Sequence, residues 1–312
     1  MTQLRLSLFV LLSISLLGHA AGPSDDLLKA AEEGDNAKVE RLLAEGADVG
    51  ARDKLGRTPL MMAAGKDHTS TANMLLEKGS DVNATNINGY TVLHTVAAKG
   101  NFDLARILLA RGANVNLQDK YGETPMFKVA ASGNVQIANA LIEHRAEIDT
   151  KNRRGETALM RATMNGKSDM VQFLLKNGAD AKAKDNEGHA ALSSVGTRCI
   201  STDAAKALID GASYDKATIV EALHHAVTGP HDSASCTPLV KFFVDNGIDV
   251  NHQTDYGNTA LILASMWGHT EAVRVLLSKG ADVTKKNKDG ETALDVAKNG
   301  EIKSLLNGAQ AK

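Results

Sequence analysis

The stretch DKYGETPMF, Asp119 to Phe127, decides the fold. Gly122 supplies a residue that turns the chain without a Cβ penalty. Thr124 follows two positions later with a hydroxyl able to accept from the first turn of a helix. Pro125 comes next, where a missing N–H costs nothing. Nine residues therefore spell a tight turn and a helix start. The phrase recurs as DKLGRTPLM from Asp53, TNINGYTVLH from Thr85, NRRGETALM from Asn152, TDYGNTALI from Thr254 and NKDGETALD from Asn287.

The turn glycines Gly56, Gly89, Gly122, Gly155 and Gly188 stand 33 residues apart, as do Gly257 and Gly290. A fixed period of this size means stacked repeats. Each unit reads G-x-T-P-L, then an inward alanine, then a second helix with an apolar pair: Leu75-Leu76, Leu108-Leu109, Leu141-Ile142, Leu174-Leu175 or Leu276-Leu277. Gly79, Gly112, Gly178 and Gly280 close that helix as left-handed caps do. Thr58, Thr124, Thr157 and Thr259 are the expected hydroxyl caps of the first helices.

This pattern resembles the ankyrin repeat family over nearly all of the chain beyond residue 20. The resemblance implies an all-α fold, an ankyrin-repeat solenoid of about nine helix-turn-helix units with short β-hairpin fingers. The units fall at about 25–55, 56–88, 89–121, 122–154, 155–187, 188–218, 219–256, 257–289 and 290–308. The first lacks the leading turn but keeps Leu27, Ala30, Leu42-Leu43 and Gly46 in register. The last is short and polar. Both read as caps, and the units between stabilise one another as nearest neighbours.

The register slips once. From Gly188 to Gly257 the spacing is 69. Aligning Gly211 and Gly247 with the helix-ending glycines leaves one unit short and one long. GASYDKATIVEALHHAV lacks the turn phrase, so a finger is missing or trimmed. Thr228–Pro238 reads as extra length between two helices. The expectation is a local irregularity between Ala190 and Asp245. The two cysteines, Cys199 and Cys236, lie within it, and in an oxidising compartment an even pair reads as a disulfide.

That compartment is suggested by residues 1–20. Arg5 precedes an apolar run from Leu6 to Leu17, too short to span a bilayer. Gly18 and Ala20 then provide the small residues of a cleavage site after Ala20, the pattern of a secretory signal peptide. No cysteine follows the run, against a lipoprotein. The chain is read as exported to a bacterial periplasm, with no membrane insertion after cleavage. A composition 43% hydrophobic with a formal net charge of −2 gives a globular protein without a nucleic-acid footprint.

A search for chemistry leaves nothing standing. Asn165–Asp169 imitates the end of a phosphate-binding loop, but Arg161 stands where its first glycine belongs. His224, His225, His231 and Cys236 are soft-metal ligand types, yet their spacing fits no known module. Asn83-Ala84-Thr85 belongs to the repeat phrase rather than to a glycosylation site. The reading is of a protein that is not an enzyme, with no cofactor and no metal site.

The resemblance implies that finger tips and the exposed side of each first helix form a concave surface that binds protein partners. The candidate partner-binding residues at those offsets are Leu55, Ile87, Tyr90, Tyr121, Arg153, Arg154, Met164, Tyr256, Met266 and Trp267. Three of the four tyrosines and the only tryptophan fall there. Tyr, Trp and Arg are the residues that anchor interfaces. They divide into two patches on either side of the irregular unit. The function read from this is a periplasmic binder, monomeric when free, that inhibits an enzyme such as a peptidoglycan hydrolase in self-protection or immunity. The alternatives are a scaffold or oxidative-stress accessory, for instance of a periplasmic catalase, and a secreted host-binding effector.

Overall fold

The computed structural model describes residues 22–198, 201–229 and 233–311. The expected signal peptide, residues 1–20, lies outside them, and so do Cys199 and His231. Helices come in pairs: α1 (Pro23–Glu33) with α2 (Asn36–Ala44), α3 (Pro59–Gly65) with α4 (Thr69–Glu77), α5 (Val92–Lys99) with α6 (Phe102–Ala110), and α7 (Pro125–Ser132) with α8 (Val135–Glu143). There follow α9 (Ala158–Met164) with α10 (Ser168–Lys176), α11 (Ala191–Arg198) with α12 (Thr202–Gly211), α13 (Lys216–Thr228) with α14 (Ser233–Asp245), and α15 (Ala260–Trp267) with α16 (Thr270–Ser278). A ninth unit keeps one helix, α17 (Gly300–Gln310).

First helices touch first helices from α1 to α15, and second helices touch second helices from α2 to α17, so the chain is two continuous layers. The core lies between them. Leu104, Leu108, Leu141 and Leu174 are wholly buried, as are the first-helix alanines Ala63, Ala97, Ala130, Ala162 and Ala264. Alanine at that position lets neighbouring first helices approach closely, and the leucines of the second helices fill the space behind.

Between pairs the chain makes fingers. In the finger at Asp119 the carboxylate Oδ1 accepts from the Tyr121 and Glu123 N–H groups at 2.8 and 2.9 Å. The Asp119 N–H donates to the Glu123 carbonyl. Asp53, Asn86, Asn152, Asp185 and Asn287 repeat this knot. Each finger then rests on the next through one backbone bond: Ile87 N–H to Leu55 O, Lys120 to Asn88, Arg153 to Tyr121, Asn186 to Arg154, and Lys288 to Tyr256, at 2.8–3.0 Å. No strand occurs among the described residues. The fingers are turns because arms this short, joined by single bonds, make no ladder.

The turn glycines are required by that contact. Gly155 has φ 75°, and a Cβ there would lie 2.5 Å from Asn186 Oδ1 and 2.7 Å from Asn186 N.

Thr58, Thr157 and Thr259 cap their helices by accepting from the N–H three residues on. Thr124 does not. The Phe127 N–H donates to the Thr124 carbonyl instead, and the hydroxyl is buried without a partner.

The irregularity falls where the spacing places it, with a different construction. Four residues join α12 to α13 and no finger forms there. The surplus expected as a loop over 228–238 is largely taken up by helix, α13 and α14 being 13 residues each. The unit boundary at 218/219 therefore cuts α13. Gly211 is the last residue of α12 rather than a left-handed cap. Its missing Cβ makes room for Leu175, whose Cδ1 would lie 2.7 Å away. Without a finger there, two finger-to-finger bonds are missing: among the described residues neither the Glu187 carbonyl nor the Asp255 N–H has a neighbouring finger to bond.

Replacing Gly155 by alanine is expected to lower unfolding stability by about 2–3 kcal/mol. That combines a left-handed backbone cost of ~1 kcal/mol with displacement of the next finger. Gly46→Ala, where φ is 90° but nothing lies within 4 Å, is expected to cost only ~1 kcal/mol. Urea unfolding of both variants checks the difference.

Candidate functional site

The fingers at Asp119 and Asn152, with α7 and α9 behind them, enclose a groove of about 610 Å³. Its floor is an alternating chain of charges. Lys128, on α7, puts its ammonium 2.9 Å from Asp119 Oδ2, against Glu123 Oε2, and 3.1 Å from the Tyr90 hydroxyl. Arg161, on α9, sets one Nη2 2.6 Å from Glu123 Oε1 and 2.9 Å from Glu156 Oε2. Asn152 donates to that same Glu156 oxygen at 2.8 Å. Glu123 thus ties a base from its own unit to a base from the next.

These groups are largely withdrawn from water; the Asp119 side chain is wholly so. Burial works against charge on Asp119 and Glu123. The Lys128 ammonium and the other donors outweigh it, and both carboxyls are held below the usual carboxylate range. Desolvation likewise opposes charge on Lys128 and Arg161, and their carboxylate partners still move both upward. All four are charged at neutral pH.

The predicted residues take up three kinds of position. Leu55, Ile87, Tyr121, Arg153, Arg154 and Tyr256 are exposed at finger tips, and Trp267 is exposed at the end of α15. Met164 and Met266 are half-buried at the ends of α9 and α15, and Met266 packs on the core. Tyr90 belongs to the floor. Its ring lies 4.6 Å beneath the Lys128 ammonium and meets His94 edge-on at 5.6 Å. Tyr90 is therefore a support for the groove as well as part of its lining. The structure brings Tyr90, Tyr121, Arg153, Arg154 and Met164 around one groove. Leu55, Ile87, Tyr256, Met266 and Trp267 are not part of it.

Sequence reasoning missed Asp119, Lys128 and Arg161. The signal was present. In two successive units an acid directly after the turn glycine is followed five residues on by a base. The other units carry Met62, Thr95, Ser194, Leu263 and Val296 at the base position.

Histidines serve the stack. His94 is fully buried, with Nδ1 2.8 Å from the Thr91 hydroxyl and Nε2 3.0 Å from the Glu123 carbonyl. Burial, then the neighbouring His252, lowers His224 to about 4. His225 meets His189 edge-on at 5.4 Å and has Nε2 3.6 Å from Glu221. Among the described residues no group of three His, Cys, Asp or Glu is placed to hold a metal. No described helix is long and apolar enough to cross a membrane. Cys236 is buried.

The family model described as "Ankyrin repeats (3 copies)" matches residues 27–119, 96–185, 198–287 and 223–311. The chain belongs to the ankyrin repeat family. Ankyrin repeats mediate protein–protein binding, and the proteins built from them are generally non-enzymatic scaffolds. Among curated relatives, this ankyrin chain is 45% identical over 60 residues to the rat (Rattus norvegicus) ankyrin repeat and SAM domain-containing protein 6. That match covers 19% of this chain and 7% of the relative. It is 41% identical over 61 residues to the mouse (Mus musculus) protein phosphatase 1 regulatory subunit 12A, covering 20% and 6%. An ankyrin repeat-containing protein of Schizosaccharomyces pombe is 33% identical over 66 residues, covering 21% and 32%. The chain thus spans less than a tenth of the length of the two mammalian proteins, and the likeness is that of the repeat.

Lys128→Met leaves Asp119 and Glu123 short of a counter-charge and is expected to cost about 3 kcal/mol at neutral pH. In the wild type the depressed carboxyl pKa values contribute stability that is fully present above the ordinary carboxylate range and is lost as pH falls below that range through the depressed values. The difference between wild type and Lys128→Met is therefore expected to shrink between about pH 5 and pH 3. Urea unfolding across that range checks it; a gap independent of pH would show that the ion network is not its source.

Proposed function

We propose that this chain is an exported, non-enzymatic binder that takes a protein partner on the face formed by its finger tips and first helices, and acts by covering that partner. One observation carries the reading. The large hydrophobic side chains that stand exposed among the described residues are Leu55, Ile87, Tyr121, Tyr256 and Trp267. All five are at a finger tip or at the end of a first helix. Exposed apolar groups confined to one face mark an interaction surface, and rigid aromatics lose little entropy on binding. The charged floor supports the reading, because a pre-ordered face saves the cost of ordering it on contact.

Export rests on residues 1–20, and the periplasm on export. A periplasmic enzyme, with a peptidoglycan hydrolase first to be tried, is the partner this combination suggests. A binder without chemistry of its own changes such an enzyme by occupying its active site. The same compartment supports a Cys199–Cys236 bridge, worth about 3–4 kcal/mol.

Affinity capture from the native envelope with the full chain as bait is expected to yield a stoichiometric protein. Tyr121→Ala combined with Trp267→Ala is expected to weaken that capture about tenfold or more without shifting the melting temperature, since both side chains are exposed. Undiminished capture by the double variant would remove the reading. Addition of the chain to a captured hydrolase is expected to lower its activity. Mass spectrometry of unreduced protein is expected to find Cys199 and Cys236 closed to alkylation; two alkylated thiols would exclude the bridge.

A further inference from the structure

Inside the groove the charges are committed. Glu123 gives one carboxylate oxygen to Lys128 and the other to Arg161. Asp119 is held by Lys128 and two backbone N–H groups. Glu156 is held by Arg161 and Asn152. At the rim the charges are exposed. Arg153 and Arg154 share one finger tip, and both are exposed. Among the described residues no carboxylate lies within the 4.0 Å of an ion pair with Arg153. Arg154 reaches Glu156 Oε1 only at 3.8 Å, with its side chain 79% exposed. Around the groove four bases, Lys128 and the three arginines, outnumber Glu123 and Glu156. Even with Asp119 beneath, this groove keeps one more base than acids, while on the far side of the same tip Arg153 and Arg154 border a second groove with Asp185 and Glu187.

The neighbouring tip adds an apolar platform. Tyr121 is 52% exposed, with the Lys120 ammonium 5.1 Å from its ring. The bond from the Arg153 N–H to the Tyr121 carbonyl, 2.9 Å, fixes the two tips to each other. Guanidinium groups with unused donors match a carboxylate in shape as well as in charge.

We propose that this groove receives an acidic segment of the partner protein, with an Asp or Glu carboxylate between Arg153 and Arg154 and an apolar neighbour against Tyr121. The inference rests on the finger face being the binding surface, and it names the chemistry that surface selects.

The test uses a fluorescein-labelled peptide alternating Asp with Tyr, and the same peptide with Asn at every Asp. Fluorescence anisotropy follows binding to the full chain at low and at high salt. The Asp peptide is expected to bind about tenfold or more tightly than the Asn peptide, and to weaken as salt screens the contact. That preference is expected to vanish in Arg153→Ala/Arg154→Ala and to persist in Arg106→Ala, an exposed arginine on the outer helix α6. Both arginines are exposed, so the melting temperature of the double variant should not move. Equal binding of the two peptides overturns the inference, as does an intact preference in the double arginine variant. A single-stranded DNA oligonucleotide that displaces the Asp peptide at matching concentration overturns it too, in favour of general polyanion binding. Envelope capture separates the two levels. Capture that depends on Tyr121 and Trp267 but not on the arginines sinks the acidic-segment inference alone. Capture indifferent to all of them sinks the reading beneath it.

Discussion

The Arg153 N–H donates to the Tyr121 carbonyl at 2.9 Å, and equivalent bonds join the fingers before and after. Each is a single backbone contact, and it sets the spacing of everything on the finger face. It exists because no side chain stands at the turn glycines: a Cβ at Gly122 would lie 3.0 Å from the Arg153 nitrogen. It is reinforced from behind, where Leu104, Leu108 and Leu141 are buried on helices that touch the neighbouring units as well as their own. Stability in such an array is a matter of adjacent pairs, and so is the position of each tip.

On this frame the units differ in what they present. The Asp119 and Asn152 fingers add a buried ion chain that links α7 to α9 through Glu123. A network of this kind holds its members in one arrangement, since an unpaired charge there would be costly. It orders the floor beneath Tyr121, Arg153 and Arg154 and leaves those three side chains exposed. The missing finger between α12 and α13 then interrupts the row of tips. Tyr256 and Trp267 lie beyond that interruption, so a partner touching both regions must bridge a place where the protein offers no finger.

Much of this was legible in the chain itself. The 33-residue spacing of the turn glycines gave the stack, and the break after Gly188 located the lost finger. Local chemistry decided what spacing could not. Helix consumed the residues around Ser233, although Gly229 and Pro230 read as loop. Gly211 looked like a helix-ending glycine and proved to be a space left for Leu175. Thr124 has the right type for a cap, but its carbonyl takes the N–H its hydroxyl was expected to hold. For the site, exposure at the tips followed from register alone, and Tyr121, Tyr256 and Trp267 stand where register puts them. Tyr90 stands one residue after its turn glycine rather than before it, and its environment differs because Lys128 in the next unit reaches over its ring. Contacts between side chains 38 residues apart, such as Lys128 with Tyr90 or Arg161 with Glu123, depend on how adjacent units are offset. A periodicity shows that units are neighbours and does not show which atoms meet.

The central claim is that the finger face meets a protein and the outer helices do not. Photo-crosslinking in the native cell tests it most directly, with a benzophenone amino acid placed in turn at Tyr121, Tyr256 and, on the outer layer, the exposed Arg106. The account predicts a discrete protein adduct from Tyr121 or Tyr256 and none from Arg106. Adducts arising only from Arg106, or from no position at all, would contradict it.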